Sequence, residues 1–271
     1  MHLDAYLKRI DYAGPLAVDP ATLTALHRQH LRTIPYENLD VQLGREVTLD
    51  IERIYKKLVT HKRGGWCYEM NGLLAWALNE IGFPMTHLAA GVMREERGDD
   101  AFGNHLALLV HLERDYLADV GFGDGLLEPI LLTSADFVQG PLKFRLQALG
   151  DGYWRFLNHP EGGARSFDFS LEPADVTLFR RKCAWMQTAP ESPFVLNAVC
   201  QIHTADGLMM LRGRALKSVT QAGVSQRLIA DETDYRKTLA EVFRLDIPET
   251  DYLWRRILAR DEERAREVIR D

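Results

Sequence analysis

The chain has 271 residues, 46% of them hydrophobic and 27% charged, and 33 Lys and Arg against 39 Asp and Glu leave a formal charge of −6. Such a length builds one large domain or two small ones around a core that needs no disulfide staples, and such an apolar fraction excludes a disordered chain. A net negative charge without a Lys/Arg cluster excludes nucleic acid and anionic membrane as partners, which leaves small molecules or proteins.

The first nine residues carry charge where a signal peptide needs an apolar run, and no apolar stretch reaches the roughly 18 residues of a membrane span. A soluble, cytoplasmic protein is therefore expected. Asp19 then caps a helix with Pro20 at its first position, and Leu23, Leu26, His27, His30 and Leu31 mark its inner face until Pro35 stops it. A second helix is predicted from Thr48 as cap, with Ile51, Ile54, Tyr55, Leu58 and Val59 in one stripe. A third begins near Cys67, carries Met70, Leu74, Ala77, Leu78 and Ile81 on one face, and stops at Gly82 and Pro84.

Beyond Pro84 the pattern turns to short apolar runs. Thr86 to Met93, His105 to Leu112 and Tyr116 to Val120 read as strands, followed by Phe144 to Leu149, Tyr153 to Leu157 and Phe194 to His203, the set expected of a barrel or strongly curled sheet. Asp206-Gly207 predicts a hairpin joining Val199 to Thr204 with Leu208 to Arg212. Helix returns from Thr233 to about Phe243 and from Glu249 to Arg270. Helices, then strands, then a mixed tail make an α+β chain rather than an alternating βαβ one.

Three cysteines at wide spacings form neither a disulfide framework nor a zinc site, and no metal is expected. Cys67 differs from Cys183 and Cys200 by its setting. It follows Gly64-Gly65-Trp66 and opens a helix, where free backbone N–H groups and the helix dipole favour a thiolate and lower a thiol pKa. The alternative is a small buried hydrophobe after a tight turn. A nucleophilic thiol needs a base, and the base needs a partner that fixes its tautomer. Among nine histidines, His105 is the best placed, since it follows Gly103-Asn104 at the start of a strand, whereas His27 and His30 sit on a helix face. Asp119, a carboxylate amid apolar neighbours before Gly121-Phe122-Gly123, needs a partner such as a histidine or else faces water. A plain hairpin with Glu113-Arg114 as its loop pairs His105 with Phe122 and Asp119 with Leu108, on opposite faces. A triad therefore requires a bulge, a longer loop or strong coiling.

Four segments together resemble the arylamine N-acetyltransferase family. Arg63-Gly64-Gly65-Trp66-Cys67 is similar to its Arg-Gly-Gly-x-Cys nucleophile motif, and Ile34-Pro35-Tyr36-Glu37-Asn38-Leu39 to its Pro-Phe-Glu-Asn-Leu element, with Tyr in place of Phe. Asn104-His105-Leu106 and Asp119-Val120-Gly121-Phe122-Gly123 match the base and acid segments. The resemblance implies an N-terminal helical bundle over 1–83, a central β-barrel over 84–190 and a C-terminal α/β lid over 191–271, with a cysteine-protease-like catalytic core. It implies ping-pong acetyl transfer with Cys67 as nucleophile, His105 as base and Asp119 as orienting acid. The cosubstrate would be acetyl-CoA, no cofactor would stay bound, and the acceptors would be arylamines, arylhydrazines and arylhydroxylamines. Phe122, Gly123, Tyr36 and Asn104 would line the substrate site, the Tyr36 hydroxyl making it more polar. Arg63 and Glu37 are expected to pair and anchor the nucleophile loop, their alternative being two ordinary surface charges. Gly121 to Gly125 reads as a turn rather than a phosphate cradle because Asp124 would repel a phosphate, while Arg212 and Arg214 are candidates to meet the CoA phosphates. A cysteine hydrolase of the papain or transglutaminase type, an amide synthase of a biosynthetic pathway and a non-enzymatic binding module are the alternatives, and each predicts a different response to acetyl-CoA or to loss of Cys67.

Overall fold

The computed structural model describes residues 1–270, with side chains described through Arg266. Helix α1 (Leu3–Arg9) precedes α2 (Pro20–Thr33), which starts where its sequence signals place it, with the Asp19 side chain accepting from Thr22 N. Strand β1 (Tyr36–Glu37) and α3 (Leu39–Gln42) are short. Helix α4 (Ile51–Tyr55) runs on into a π-helical turn, Lys56–Thr60. Its cap is Asp50, whose carboxylate accepts from Arg53 N, and not Thr48; the Thr48 hydroxyl accepts instead from Asp50 N and holds the capping loop. Helix α5 (Cys67–Ile81) ends at Gly82 in the left-handed conformation.

Strand β2 (Met85–Val92) leads through α6 (Arg94–Arg97) to β3 (Phe102–His111) and β4 (Asp115–Ala118). Then follow β5 (Ile130–Leu131), β6 (Ala135–Gln139), β7 (Leu142–Ala148), β8 (Tyr153–Leu157) and β9 (Ser166–Pro173). These strands form one antiparallel sheet in the order β5-β4-β3-β2-β9-β8-β7-β6. Phe144, Phe156, Phe167 and Phe169 fill its concave side. The sheet is curled but open: β5 and β6 are its two edges and do not pair, so the expected barrel is not closed.

Helix α7 (Val176–Thr188) was not legible in the strand-rich pattern; it packs on β3 through Phe179, Cys183 and Met186 around the start of α5. The run read as one strand from Phe194 to His203 is divided, because Ser192 caps a turn of helix α8 (Pro193–Leu196) with Pro193 at its first position. Only β10 (Val199–His203) remains extended, and it forms the predicted Asp206-Gly207 hairpin with β11 (Gly207–Arg212). Strands β12 (Ala215–Thr220) and β13 (Gly223–Leu228) complete a second sheet, β1-β10-β11-β12-β13. Helices α9 (Glu232–Glu241) and α10 (Thr250–Arg270) cover one of its faces through Tyr235, Leu239, Leu253 and Ile257. Strand β1, which bridges through Tyr36 to Gly65 just ahead of Cys67, thus forms the edge of a sheet built otherwise from residues 199–228. Among the described residues no helix is long and apolar enough to cross a membrane, and no group of three His, Cys, Asp or Glu is placed to hold a metal ion.

Candidate active site

Cys67 is the first residue of α5, and its Sγ is directed at the Asn104 carbonyl, 3.8 Å away at the start of β3. The turn before it is held against β1: Glu37 N donates to the Gly65 carbonyl at 2.9 Å and Gly65 N to that of Pro35 at 3.3 Å. A Cβ on Gly64 would stand 2.1 Å from the Pro35 carbonyl oxygen, so only glycine allows this approach.

A chain of alternating charges runs beneath the turn. Arg63 donates to Glu37 from Nε at 3.1 Å and from Nη2 at 2.7 Å, and it reaches Asp40 at 3.1 Å. Lys57 bridges Asp40 at 2.9 Å and Glu69 at 2.8 Å, and Glu69 accepts from Trp66 N at 3.2 Å, capping the helix that Cys67 opens. Glu37 is wholly buried, so these are not surface charges. Burial works against the Lys57 and Arg63 cations, but the surrounding carboxylates outweigh it and push both pKa values up. Removing Glu37 leaves a buried guanidinium with only Asp40 as partner. Glu37→Ala is expected to cost about 3 kcal/mol, the low end for breaking a buried pair, read as a lower urea midpoint. An unchanged midpoint would refute an anchoring role.

His105 and Asp119 are brought together by register. Leu108 pairs with Ala118 and His111 with Asp115, so the loop is the three residues Leu112 to Arg114, not the two-residue Glu113-Arg114 turn. Leu112 packs on the helical core, and His111 Nδ1 bonds Asp115 at 2.8 Å across the strand ends. Continuing this register sets Asp119 opposite Ala107, on the same face as His105, because a one-residue slip exchanges the faces. His105 Nε2 and Asp119 Oδ2 lie 2.7 Å apart, both side chains almost fully buried.

Two residues that sequence reasoning passed over hold Asp119, one at its carboxylate and one at its backbone N–H. Asn71, one turn beyond Cys67 on α5, donates from Nδ2 to Asp119 Oδ1 at 2.7 Å and accepts from Val120 N at 2.9 Å. Its i, i+4 spacing from Cys67 is the signal that points to it. His27, set aside as a helix-face residue, accepts from Asp119 N through Nε2 at 3.0 Å, while its Nδ1 meets the Leu127 carbonyl at 3.0 Å. Burial holds His27 down to about 4, which keeps it neutral near pH 7 and able to accept. Gly121 N also donates to Asp119 Oδ1, at 2.8 Å. A Cβ on Gly121 would lie 2.7 Å from the Cys67 Cα, so glycine lets the acid-bearing loop close on α5.

Helix-start electrostatics do not dominate at the thiol. Cys67 is 2% exposed, and burial pushes its pKa up, although the backbone N–H groups of Leu106 and Tyr68 work in the other direction. Burial thus favours the neutral thiol. Cys183 and Cys200 are buried and free.

Phe122 is half-buried, its ring centroid 5.3 Å from that of His105 and 5.0 Å from that of Phe167. Gly123 stands against the Gln201 amide and the Tyr36 ring. Burial pushes the Tyr36 phenol up, so it remains a neutral hydroxyl. The Asn104 side chain turns away, accepting from Val92 N at 2.8 Å at the irregular end of β2, so its carbonyl is what it offers Cys67. Asp124 is buried and accepts from Asn158 at 3.0 Å, Gly163 N at 2.5 Å and Gln201 at 3.1 Å, tying the Phe122 loop to β10 and to residues 158–163. The two arginines considered for CoA are already engaged, Arg212 with Asn197 at 3.1 Å and Arg214 with Asp261 at 2.8 Å.

Residues 19–252 match the N-acetyltransferase family model. A pineal-gland arylamine N-acetyltransferase of Gallus gallus is 34% identical, with 91% of this chain and 95% of that protein aligned. Among solved structures, the arylamine N-acetyltransferase of Mycobacterium abscessus superposes with a TM-score of 0.84 at 29% identity, covering 95% of each chain. That of Mycobacterium marinum in complex with CoA gives 0.85 at 28% identity over 94% of this chain and 98% of the other.

Proposed function

The chain belongs to the arylamine N-acetyltransferase family, and from that premise we propose that it carries acetyl from acetyl-CoA to arylamines, arylhydrazines and arylhydroxylamines through an acetyl-Cys67 intermediate. The observation that carries this reading is the buried His105–Asp119 hydrogen bond, fixed by Asn71, Gly121 and His27, beside a cysteine that opens a helix. The CoA complex of the Mycobacterium marinum relative supports the choice of donor.

With Asp119 accepting from Nε2–H, His105 keeps its lone pair on Nδ1 and takes the Cys67 proton from there. The thiolate attacks the thioester carbonyl. The oxyanion so formed is met by backbone N–H groups at the start of α5, that of Cys67 among them. The bond to the CoA sulfur breaks, and CoA leaves with the proton held by His105. In the second half the amine nitrogen attacks acetyl-Cys67 and gives a proton to His105, and the Cys67 sulfur is expelled as the amide forms. Phe122, Gly123 and Tyr36 would shape the acceptor site, where a flat ring positioned against Phe122 gains over water by orientation and partial dehydration.

Intact-mass measurement after mixing with acetyl-CoA tests the proposal. One acetyl group is expected on the wild type at Cys67, and CoA release should accelerate when an arylamine is added. A chain that stays unmodified and ignores both compounds would behave as the hydrolase alternative predicts.

A further inference from the structure

The second sheet ends in a strand that is left uncovered among the described residues. All six residues of β13 are exposed, Val224 at 51% and Leu228 at 60%. The other sheet edges are less open: β1 is bridged to Gly65, β5 is two residues long, and at the end of β6 the Gln139 side chain bonds the backbone of Leu127 and Glu128. Folded proteins protect an open edge with Pro, Lys, a bulge or a covering segment. Strand β13 contains neither Pro nor Lys, and its register with β12 runs unbroken from Thr220–Gly223 to Ala215–Leu228. Its one charge, Arg227, is paired with Asp234 on α9.

The hydrogen-bonding groups free on this edge follow from the ladder. Ile229 N donates to the Arg214 carbonyl at 2.8 Å, in the pair next beyond Ala215–Leu228. Bonded and non-bonded pairs alternate in an antiparallel ladder, so Gly223, Ser225 and Arg227 bond to β12, while the N–H and C=O of Val224, Gln226 and Leu228 point away from it. No backbone hydrogen bond beyond the sheet ladder uses those groups among the described residues. The same three residues share one face of the strand, with Ser225 and Arg227 on the other.

We propose that β13 pairs with β13 of a second copy of this chain, antiparallel across a two-fold axis at Gln226. Gln226 then lies opposite Gln226, and Val224 of each copy opposite Leu228 of the other. This symmetric register alone puts all three outward-pointing residues in bonded pairs with one another, with two backbone hydrogen bonds in each pair. An axis at Ser225 opposes Leu228 to Ala222 in the turn, one at Arg227 opposes Val224 to Ala230, and an axis between residues mates outward groups with residues bonded to β12. The exposed Val224 and Leu228 side chains cover each other across the junction, the kind of cross-strand pair that stabilises antiparallel sheets. Ser225 faces Arg227, so no like charges are opposed.

The occupant is a second copy because the match is self-complementary, as a two-fold interface requires. A chain of formal charge −6 repels its own copies over most of its surface, whereas β13, with Arg227 compensated by Asp234, brings no net charge to the junction. A junction of six residues a side is smaller than the roughly 1,200 Å² at which stable interfaces begin, so the dimer is reversible and depends on concentration.

Sedimentation equilibrium of the full chain from about 10 μM to about 1 mM tests this independently of the transferase reading. A monomer–dimer equilibrium is expected. Gln226→Pro removes one outward donor and no bond to β12, so it should weaken dimerisation by about tenfold or more at an unchanged melting temperature. Val224→Lys, which sets a charge against Leu228, should do the same and serves where proline disturbs the strand. Gln226→Cys should give a disulfide-linked dimer on mild oxidation, because residues opposed in a bonded pair lie about 5.5 Å apart at Cα. Ser225→Cys, offset from its own copy, should not, and the native cysteines are buried. A chain monomeric to about 1 mM would leave the edge to a strand of another protein and overturn the proposal. A dimer unaffected by both folded edge variants, or cross-linking no faster in Gln226→Cys than in Ser225→Cys, would overturn it as well.

Discussion

Replacing Cys67 with serine should leave a folded chain that neither takes up acetyl from acetyl-CoA nor passes it on, with kcat/KM for arylamine acetylation lower by about 10⁴-fold or more. The substitution changes one atom at a site that is 2% exposed, so the packing beside Asn104, Tyr68 and Leu106 is nearly preserved. What changes is the acidity and softness of the attacking atom. Burial already raises the Cys67 thiol pKa, yet a thiol's ordinary value of about 8.5 leaves its proton closer to the reach of an imidazole than a hydroxyl's is. A hydroxyl in the same low-dielectric place is far more reluctant to ionise, and its alkoxide is stabilised by the same few N–H groups. Acetyl-CoA-dependent mass gain and CoA release check the result, with thermal melting to show the fold intact. Activity retained within tenfold would remove Cys67 from the proposed mechanism.

Asp119→Asn should lower kcat by about 10³- to 10⁴-fold while costing little stability. The reason lies in which atom faces which. Oδ1 of Asp119 accepts from Asn71 Nδ2 and Gly121 N, so in the variant the amide oxygen must take that place. The amide NH₂ then faces His105 Nε2 and forces the imidazole to accept there and carry its proton on Nδ1. That is the tautomer that cannot deprotonate Cys67. Nitrogen NMR of the His105 ring gives a readout that a merely structural role would not move. Asp119→Ala is the contrast. It strands the Asn71 amide and the Gly121 N–H in a buried place, at about 1–3 kcal/mol each, so it should lose stability as well as rate. An Asp119→Asn enzyme with wild-type kcat, or an unaltered ring tautomer, would mean that Asp119 does not set the proton on His105.

Much of the local structure was legible. Asp19-Pro20 and Gly82 delimit α2 and the end of α5 because caps and stops act over one turn of backbone, and Asp206-Gly207 closes its hairpin for the same local reason. Where local signals competed, the chain chose by packing. Asp50 displaced Thr48 as the cap of α4, and Pro193 turned the start of an apparent strand into helix. Helix α7 escaped notice because its buried residues, Phe179, Cys183 and Met186, form a narrow stripe amid Arg180, Arg181 and Lys182.

The order of the motifs, the residue types at Cys67, His105 and Asp119, and the α+β class could be read from the chain alone, because composition, periodicity and short motifs are properties of neighbours in sequence. Four matters were decided only in three dimensions. Tyr116, Ala118 and Val120 seat in the helical core and Leu117 in the sheet core, a register that takes a three-residue loop and so puts Asp119 on the face of His105. Burial reversed the direction in which the helix start alone would have moved the thiol pKa. The Glu69, Lys57, Asp40, Arg63 and Glu37 chain joins residues from three separate segments, and Asn71 and His27 reach Asp119 across 48 and 92 positions. Each depends on which groups lose water together and which remain to pair with them, and that follows from the packing of the whole chain rather than from the order of its residues.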